Sequence, residues 1–312
     1  MRSLRPAFIS ALGLGFSVLF ASSLLAQRAF VSAVTGNDAN PCTRSSPCRS
    51  FATAISTVAA GGEVVVLDSG GYGPFTVSKA VSIETPAGIY AGVSATSGDG
   101  IDVSAGASDR VVLKGLTLQG FGGANNGITF SSGAALYVEN FIVNGFPLYG
   151  IYQTGNGSLL LTDTTVRNGG FDGVFIQLSA PLTGSNLLVD HCRFENNVSA
   201  GLFVYDGVKS WVRDSVATSN YFGFEEATHG TAAAELNIEN CLVTNNTFGV
   251  STSNNGPGNS GPGTLRLSGS TVTQNTAGLA NAPGHTFESF GNNHVRGNTN
   301  DTLGVITQVG NN

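Results

Sequence analysis

A histidine flanked by acidic residues is the first feature of the sequence that could do chemistry. When repeat units of about 25 residues are placed in register, His191 falls between Asp163 and Asp214, and Arg213 lies one position before that column. A carboxylate–histidine–carboxylate set can hold an imidazole as a general base, and a guanidinium can stabilise a uronate or a developing enolate. The alternative is a ladder of Asn and Asp at turns, which these residues favour for backbone reasons alone.

A column of aromatic residues is the second such feature. Tyr152, Phe175 and Phe203 fall at equivalent positions of consecutive units, and Glu225 follows them. Sugar rings could stack on such a strip, which would be a notable exposed surface on a monomer. The alternatives are that a long connection covers the strip, or that its rings stack on one another for stability. We interpret Trp211 as part of a connection beside this column.

Both features depend on an internal repeat. Each unit ends in an Asn-Gly or Asn-Asn type pair, opens with Gly and an apolar residue, and closes with alternating apolar positions such as LYVENFIV at 136–143. Asn and Gly tolerate the left-handed backbone of sharp corners. A unit this short cannot bury its apolar face alone, so like residues stack about 4.8 Å apart. The repeat predicts an all-β chain that forms a right-handed parallel β-helix of about nine coils.

The chain divides into three segments. Residues 1–26, with a basic start and an uncharged apolar run, predict a secretory signal peptide; the alternative is an uncleaved membrane anchor. Residues 27–62 predict an N-terminal segment whose apolar period at 50–60 indicates a helix that covers the first coil. Residues 63–312 contain the β-helix, and the part after Asp301 is expected to be a last strand or loop.

The four cysteines fall into two pairs. Cys42 and Cys48 bracket a short loop near the mature start, where a disulfide would suit an oxidising compartment. Two free thiols or a metal site are the alternatives, although no nearby His or Cys completes a set of four ligands. Cys192 and Cys241 share an inward column with Ser215 between them, and we predict that they are buried fillers.

The charge balance limits the partners. With 14 Lys and Arg against 20 Asp and Glu, the chain lacks the basic face of a nucleic-acid-binding protein. We predict no metal site, and His285 and His294 are expected to be solvated. No cofactor is expected, except that Ca²⁺ stays open because an acidic protein would need a cation to bind an acidic polymer. Glu225 and Glu226 are adjacent on a strand, so only one of them could face a site.

The sequence resembles a family of secreted bacterial right-handed β-helix repeat proteins in the pectate-lyase-like superfamily. The resemblance is carried by NPCTRSSPCRSF at 40–51, GYGP at 71–74 and unit endings such as ENCLVTNN at 239–246. It implies the fold and a leaning towards carbohydrates, since the superfamily includes polysaccharide lyases, hydrolases, epimerases and non-catalytic adhesins. The catalytic signatures of polygalacturonases, pectate lyases and pectin esterases are missing, so no functional residue carries over.

We therefore predict a secreted, periplasmic or cell-envelope protein that binds an extended polysaccharide or cell-surface glycan along one face. The binding residues would be Tyr152, Phe175, Phe203 and Glu225. One alternative is a polysaccharide lyase or epimerase that acts on a uronate-containing glycan through Asp163, His191, Asp214 and Arg213. Another is a non-catalytic structural surface protein. Neither nucleic acid nor, after signal cleavage, a membrane is an expected partner.

Overall fold

The chain winds into a parallel β-solenoid of about nine turns. The structure, a computed structural model, describes residues 27–178, 186–205, 207–228, 232–254 and 262–310; the predicted signal peptide lies outside them. Each turn contributes one strand to each of three parallel sheets, numbered 1 to 3 in the order in which the chain visits them. The predicted right-handed parallel β-helix is confirmed.

Sheet 1 has twelve strands in the described residues. They are Arg28–Val31, Gly62–Val66, Val81–Glu84, Arg110–Lys114, Ala135–Glu139, Ser158–Thr162, Asn186–Asp190, Lys209–Arg213, Ala234–Glu239, Gly263–Ser268, Thr286–Phe290 and Thr307–Val309.

Sheets 2 and 3 have ten described strands each. Those of sheet 2 are Gly70–Gly71, Ala91–Ala95, Leu116–Gly120, Ile142–Asn144, Thr165–Arg167, Arg193–Glu195, Val216–Thr218, Leu242–Thr244, Thr271–Thr273 and His294–Val295. Those of sheet 3 are Phe75–Val77, Ile101–Ser104, Ile128–Ser132, Ile151–Gln153, Val174–Ile176, Ala200–Val204, Phe222–Thr228, Phe248–Asn254, Ala277–Ala280 and Asn300–Leu303.

The inward column of sheet 3 has the predicted register, and that of sheet 1 has it as far as Leu267, which pairs with Ser289 and not with Phe290. In sheet 3, Ile128 is paired with Ile151, Ile151 with Val174 and Val174 with Leu202. All four side chains are fully buried. Burying an aliphatic side chain contributes roughly 1.5–3 kcal/mol, and each column repeats that contribution on every turn. The core is therefore a continuous stack along the axis, and it fixes which outward residues become vertical neighbours.

Two polar ladders form the corners. Between sheets 1 and 2, one residue per turn has a left-handed backbone, and this column includes Asn140, Asp163, His191, Asp214 and Asn240. Between sheets 2 and 3, buried Asn side chains bond to the turn above: the Asn246 side-chain oxygen accepts bonds from the backbone and side-chain nitrogens of Asn220, at 3.0 and 3.1 Å. The Asn-Gly and Asn-Asn unit endings seen in the sequence lie at the second of these corners, between sheets 2 and 3.

The N-terminal segment packs against the first turns. Its helix, Phe51–Thr57, is shorter than the pattern suggested; the Ser50 side chain caps it, and Phe51 packs against the rings of Tyr72 and Phe75. The strand Arg28–Val31 precedes the helix and pairs with the strand Gly62–Val66, so sheet 1 begins earlier than the sequence indicated. Cys42 and Cys48 form the predicted disulfide. No helix in the described residues is long and apolar enough to cross a membrane.

Candidate functional site

The structure brings Asp163, His191 and Asp214 into one exposed column at the corner between sheets 1 and 2. The backbone φ angles of these three residues are 49°, 53° and 50°. All three residues are exposed. The column is thus part of a corner ladder of left-handed turn residues, as the alternative interpretation of the sequence predicted.

The ionic centre of this corner is Asp190, the residue that directly precedes His191 in the sequence. Arg213 donates two hydrogen bonds to its carboxylate, at 3.0 and 2.8 Å. His191 Nδ1 lies 2.8 Å from Asp190 Oδ1. The Arg213 guanidinium, followed by the hydrogen bond from His191, lowers the pKa of Asp190. His191 is therefore oriented by its hydrogen bond to the neighbouring Asp190, and Asp163 and Asp214 are its neighbours along the corner column.

The same corner is the one place in the described residues where three side chains of metal-ligating type converge. One ligand atom from each of Asp190, His191 and Asp214 lies within 4.8 Å of the other two. Both oxygens of Asp190 are, however, already bonded to Arg213. A cation here would have to displace a guanidinium, so the geometry favours an ion-pair network.

The aromatic column of sheet 3 has the predicted register but is closed over its middle. Tyr152, Phe175, Phe203 and Glu225 are vertical neighbours. Phe175 and Phe203 are only 6% and 9% exposed. Tyr149 covers Phe175 with a ring-centroid distance of 4.8 Å, and Tyr205 covers Phe203 at 4.7 Å; of the three predicted stacking rings, only Tyr152 keeps exposed area.

Two carboxyl groups lie beneath or beside these rings. Glu225 is 3% exposed, and burial raises its pKa to about 8, although Ser253 donates a hydrogen bond of 2.6 Å to it. Asp172 is fully buried, burial raises its pKa to about 6, and its Oδ2 has no hydrogen-bond partner among the described residues. Shifted pKa values of this kind are more common at functional sites than elsewhere.

The predicted exposure of His285 was wrong. Its side chain is buried, with Nδ1 2.9 Å from Glu226 and Nε2 2.8 Å from Asn254 Oδ1. Glu226 faces inward on the strand that turns Glu225 outward, as the strand alternation predicts. His294 is exposed, as expected. Cys192 and Cys241 are buried free thiols.

The sequence reasoning missed an open groove on the outer face of sheet 1. Its floor is an apolar column in which each residue pairs with the next: Val112, Tyr137, Leu160, Leu188 and Trp211. Leu188 is 38% exposed and Trp211 44% exposed, and the part of the groove lined by Tyr137, Leu160, Leu188 and Trp211 has a volume of about 420 Å³. Trp211 lies within the strand Lys209–Arg213, so its assignment to a connection beside the aromatic column was wrong. We call this feature the sheet 1 groove.

Polar side chains border the sheet 1 groove on both sides. On one side, Arg110 and Lys209 occupy the same outward column, and neither forms an ion pair within the described part of the chain. On the other side lies the Asp190–Arg213 pair, with His191 next to it. The groove therefore combines an exposed indole, an apolar floor and unpaired positive charge. The alternation of KSWVR at 209–213 was the signal that could have found it.

Comparison with known proteins agrees with this architecture. The family model described as "Right handed beta helix region" matches residues 89–237 and 126–300. The chain belongs to this family. Among solved structures, an alginate lyase from Paenibacillus sp. str. FPU-7 is 11% identical, with a TM-score of 0.53, over 90% of this chain and 99% of the lyase. No curated protein sequence matches the chain.

Two further solved structures are similar in outline. The pectate lyase Pel9A is 12% identical with a TM-score of 0.49, over 93% of this chain and 80% of the lyase. The A-module of the Azotobacter vinelandii mannuronan C-5 epimerase AlgE4 is 10% identical with a TM-score of 0.45, over 92% of this chain and 90% of the module. At these identities the likeness concerns the fold alone.

Proposed function

We propose that the protein binds an extended acidic polysaccharide along the sheet 1 groove. The observation that carries the proposal is the exposed indole of Trp211, which ends an apolar column flanked by Arg110 and Lys209, two side chains that form no ion pair with any described residue. The sequence-based prediction of polysaccharide binding along one face is kept, while the face itself changes from sheet 3 to sheet 1.

The shape of the groove suits a polymer. Val112 and Trp211 are four turns apart, so the apolar floor runs roughly 19 Å along the axis at about 4.8 Å per turn. Flat ring faces stack on exposed aromatic side chains, and for nucleic-acid bases each stack contributes about 1–3 kcal/mol. Carboxylates of the polymer would meet the guanidinium of Arg110 and the ammonium of Lys209 at the two ends. The similar fold of an alginate lyase supports this proposal.

The experiment is a calorimetric binding titration of the protein with oligomers of galacturonate and of alginate. Trp211→Ala should weaken binding at least tenfold, and the double change Arg110→Gln with Lys209→Gln should weaken it and reduce its salt dependence. Tyr90→Ala removes another exposed aromatic ring, 54% exposed and outside the groove, and serves as the matched control. A chelator arm shows whether Ca²⁺ contributes. If Trp211→Ala binds as tightly as Tyr90→Ala, the groove is not the site.

We infer the compartment from the disulfide and from the predicted signal peptide. The disulfide between Cys42 and Cys48 supports an oxidising environment, where polysaccharides of the envelope and the extracellular matrix also lie. Together with the predicted signal peptide at residues 1–26, it supports a secreted, periplasmic or cell-envelope protein. Loss of the segment 1–26 from protein recovered outside the cytoplasm, read by mass spectrometry of the N-terminus, would test this.

A second candidate function is a polysaccharide lyase or epimerase acting at the edge of the same groove. The observation that favours it is the order His191, Asp190, Arg213: Asp190 accepts the Nδ1 proton of His191, which leaves Nε2 as a base directed away from the pair. Arg213 would neutralise the uronate from which a proton is removed. Absorbance of unsaturated products tests the lyase, and full turnover by His191→Ala would remove this candidate.

A further inference from the structure

The strands of sheet 3 carry an unbalanced charge. Across its ten described strands there are four acidic residues and no Lys or Arg. Asp102 and Glu225 belong to the outward column, five turns apart and therefore roughly 24 Å from each other. The outer face of sheet 3, which we call the sheet 3 face, therefore has carboxyl groups at both ends of its aromatic column. The sheet 1 groove, in contrast, has a positively charged border.

Aromatic rings fill the space between these carboxyl groups. Tyr152 stacks on Phe175 with nearly parallel planes, 5° apart, and Tyr149 contacts both rings at 4.8 and 4.8 Å between centroids. Further along, the rings of Phe222 and Phe248 stack at 5.2 Å. The outermost rings remain half-exposed, namely Tyr149, Tyr152, Tyr205, Phe222 and Phe248. Their π faces attract cations, most strongly where water is partly excluded.

Glu226 pairs with His285 and Asp301 with Arg296, whereas Asp99, Asp102, Asp172 and Glu225 form no ion pair within the described residues. Asp99 and Asp102 lie side by side, and burial followed by the charge of Asp99 raises the pKa of Asp102. Asp172, buried next to the tyrosines, keeps one carboxyl oxygen without a hydrogen-bond partner among the described residues. A nearby positive charge would favour the ionised form of each of these groups. The face is thus complementary to a ligand that carries both flat apolar surface and positive charge.

The half-exposed rings of this face discriminate between two cationic polymers, a basic peptide and a polysaccharide of amino sugars. A lysine-rich peptide carries its charges on flexible aliphatic side chains, which offer no ring to stack. A polysaccharide presents a flat ring in every sugar, and an amino sugar adds an ammonium group to that ring. We propose that the sheet 3 face binds a polysaccharide of amino sugars, with its rings on Tyr149 and Tyr152 and its ammonium groups near Asp99 and Asp102. This site is separate from the sheet 1 groove.

The test compares two hexasaccharides that differ only in charge. A fully deacetylated glucosamine hexamer and the N-acetylglucosamine hexamer are titrated into the full chain at pH 6 and followed by calorimetry. The glucosamine hexamer should bind at least tenfold more tightly. The isosteric double change Asp99→Asn with Asp102→Asn, which leaves all rings in place, should weaken it at least fivefold, as should Tyr152→Ala. Glu195→Gln, on sheet 2, is the control that removes one acidic charge elsewhere.

Each other outcome overturns the proposal. Equal affinity for the two hexamers would show that charge plays no part. Tighter binding of an octalysine peptide than of the glucosamine hexamer would assign the face to basic peptides. Loss of glucosamine binding in Trp211→Ala, with Asp99→Asn and Asp102→Asn without effect, would place the sugar in the sheet 1 groove. Because the two surfaces are probed by different variants, failure here leaves the function proposed for the sheet 1 groove testable on its own.

Discussion

Replacing Glu225 by Gln tests whether this carboxyl group is protonated in the folded protein. Burial raises its pKa from 4.5 to about 8. Between these two values the folded protein keeps a proton that the unfolded chain has released, so the free energy of unfolding falls as the pH rises. The slope is about 1.4 kcal/mol per pH unit and flattens near each pKa, so the wild-type protein should lose roughly 3.5 kcal/mol between pH 5 and pH 8 through this residue. Glu225→Gln lacks this titrating group, so its free energy of unfolding should fall by about that much less than the wild-type value between pH 5 and pH 8.

The assay is urea unfolding at pH 5 and pH 8, followed by the fluorescence of the single tryptophan, Trp211. Asp172, whose pKa burial raises to about 6, adds a loss of the same sign that is common to both proteins. Glu239→Gln removes an exposed carboxyl group from sheet 1 and should follow the wild type at both pH values. If Glu225→Gln and the wild-type protein lose the same stability between pH 5 and pH 8, the group is ionised in the folded state and the reasoning is wrong.

Three further changes probe the architecture. Asn246→Ala removes the acceptor of two bonds from the buried Asn220 and should cost about 3–5 kcal/mol in urea unfolding; a cost below about 1 kcal/mol would contradict the ladder. Cys42→Ser breaks the disulfide and should lower the unfolding temperature. Under reducing conditions, the variant and the wild-type protein should unfold at the same temperature. Gly201→Ala would put a methyl group 2.7 Å from a carbonyl oxygen of the next turn, so we expect low soluble yield; normal yield and stability would contradict the packing.

The columns of the solenoid could be predicted because they follow from the period alone. Once the units are in register, Ile151 must lie between Ile128 and Val174, and Tyr152 must lie between Thr129 and Phe175. The structure confirms this register at every described pairing of that column. Core and corner residues recur on every turn, so each turn indicates the same register independently.

Side chains that depart from the period could not be placed in the same way. His285 belongs to a connection, and its partners Glu226 and Asn254 lie 59 and 31 residues earlier, so no local pattern indicates its burial. The closure of the aromatic column depends on which way Tyr149 and Tyr205 turn at non-repeating positions. Each of these features is set by contacts made once in the fold, and a repeat analysis averages over them.

The sheet 1 groove is a different case, because the sequence did contain its signal. In the strand Lys209–Arg213, strict alternation places Trp211 outward between two basic residues. Reading the same segment as a connection removed it from the column that contains Tyr137, Leu160 and Leu188. The period of two extends to outward positions as well as inward ones, so the outward columns of the solenoid can be predicted from the same alternation.

Acrylamide quenching of the single tryptophan tests the central proposal most directly, because Trp211 is the only indole in the chain and is 44% exposed on the groove floor. The quenching constant is measured for the protein alone, for the protein with a saturating concentration of oligogalacturonate or alginate oligomer, and for the protein with a neutral oligomer as control. We expect the acidic oligomer that binds to lower the quenching constant at least twofold, and the effect to weaken as salt is raised. A protein that binds the acidic oligomer with an unchanged quenching constant would show that the polysaccharide lies elsewhere.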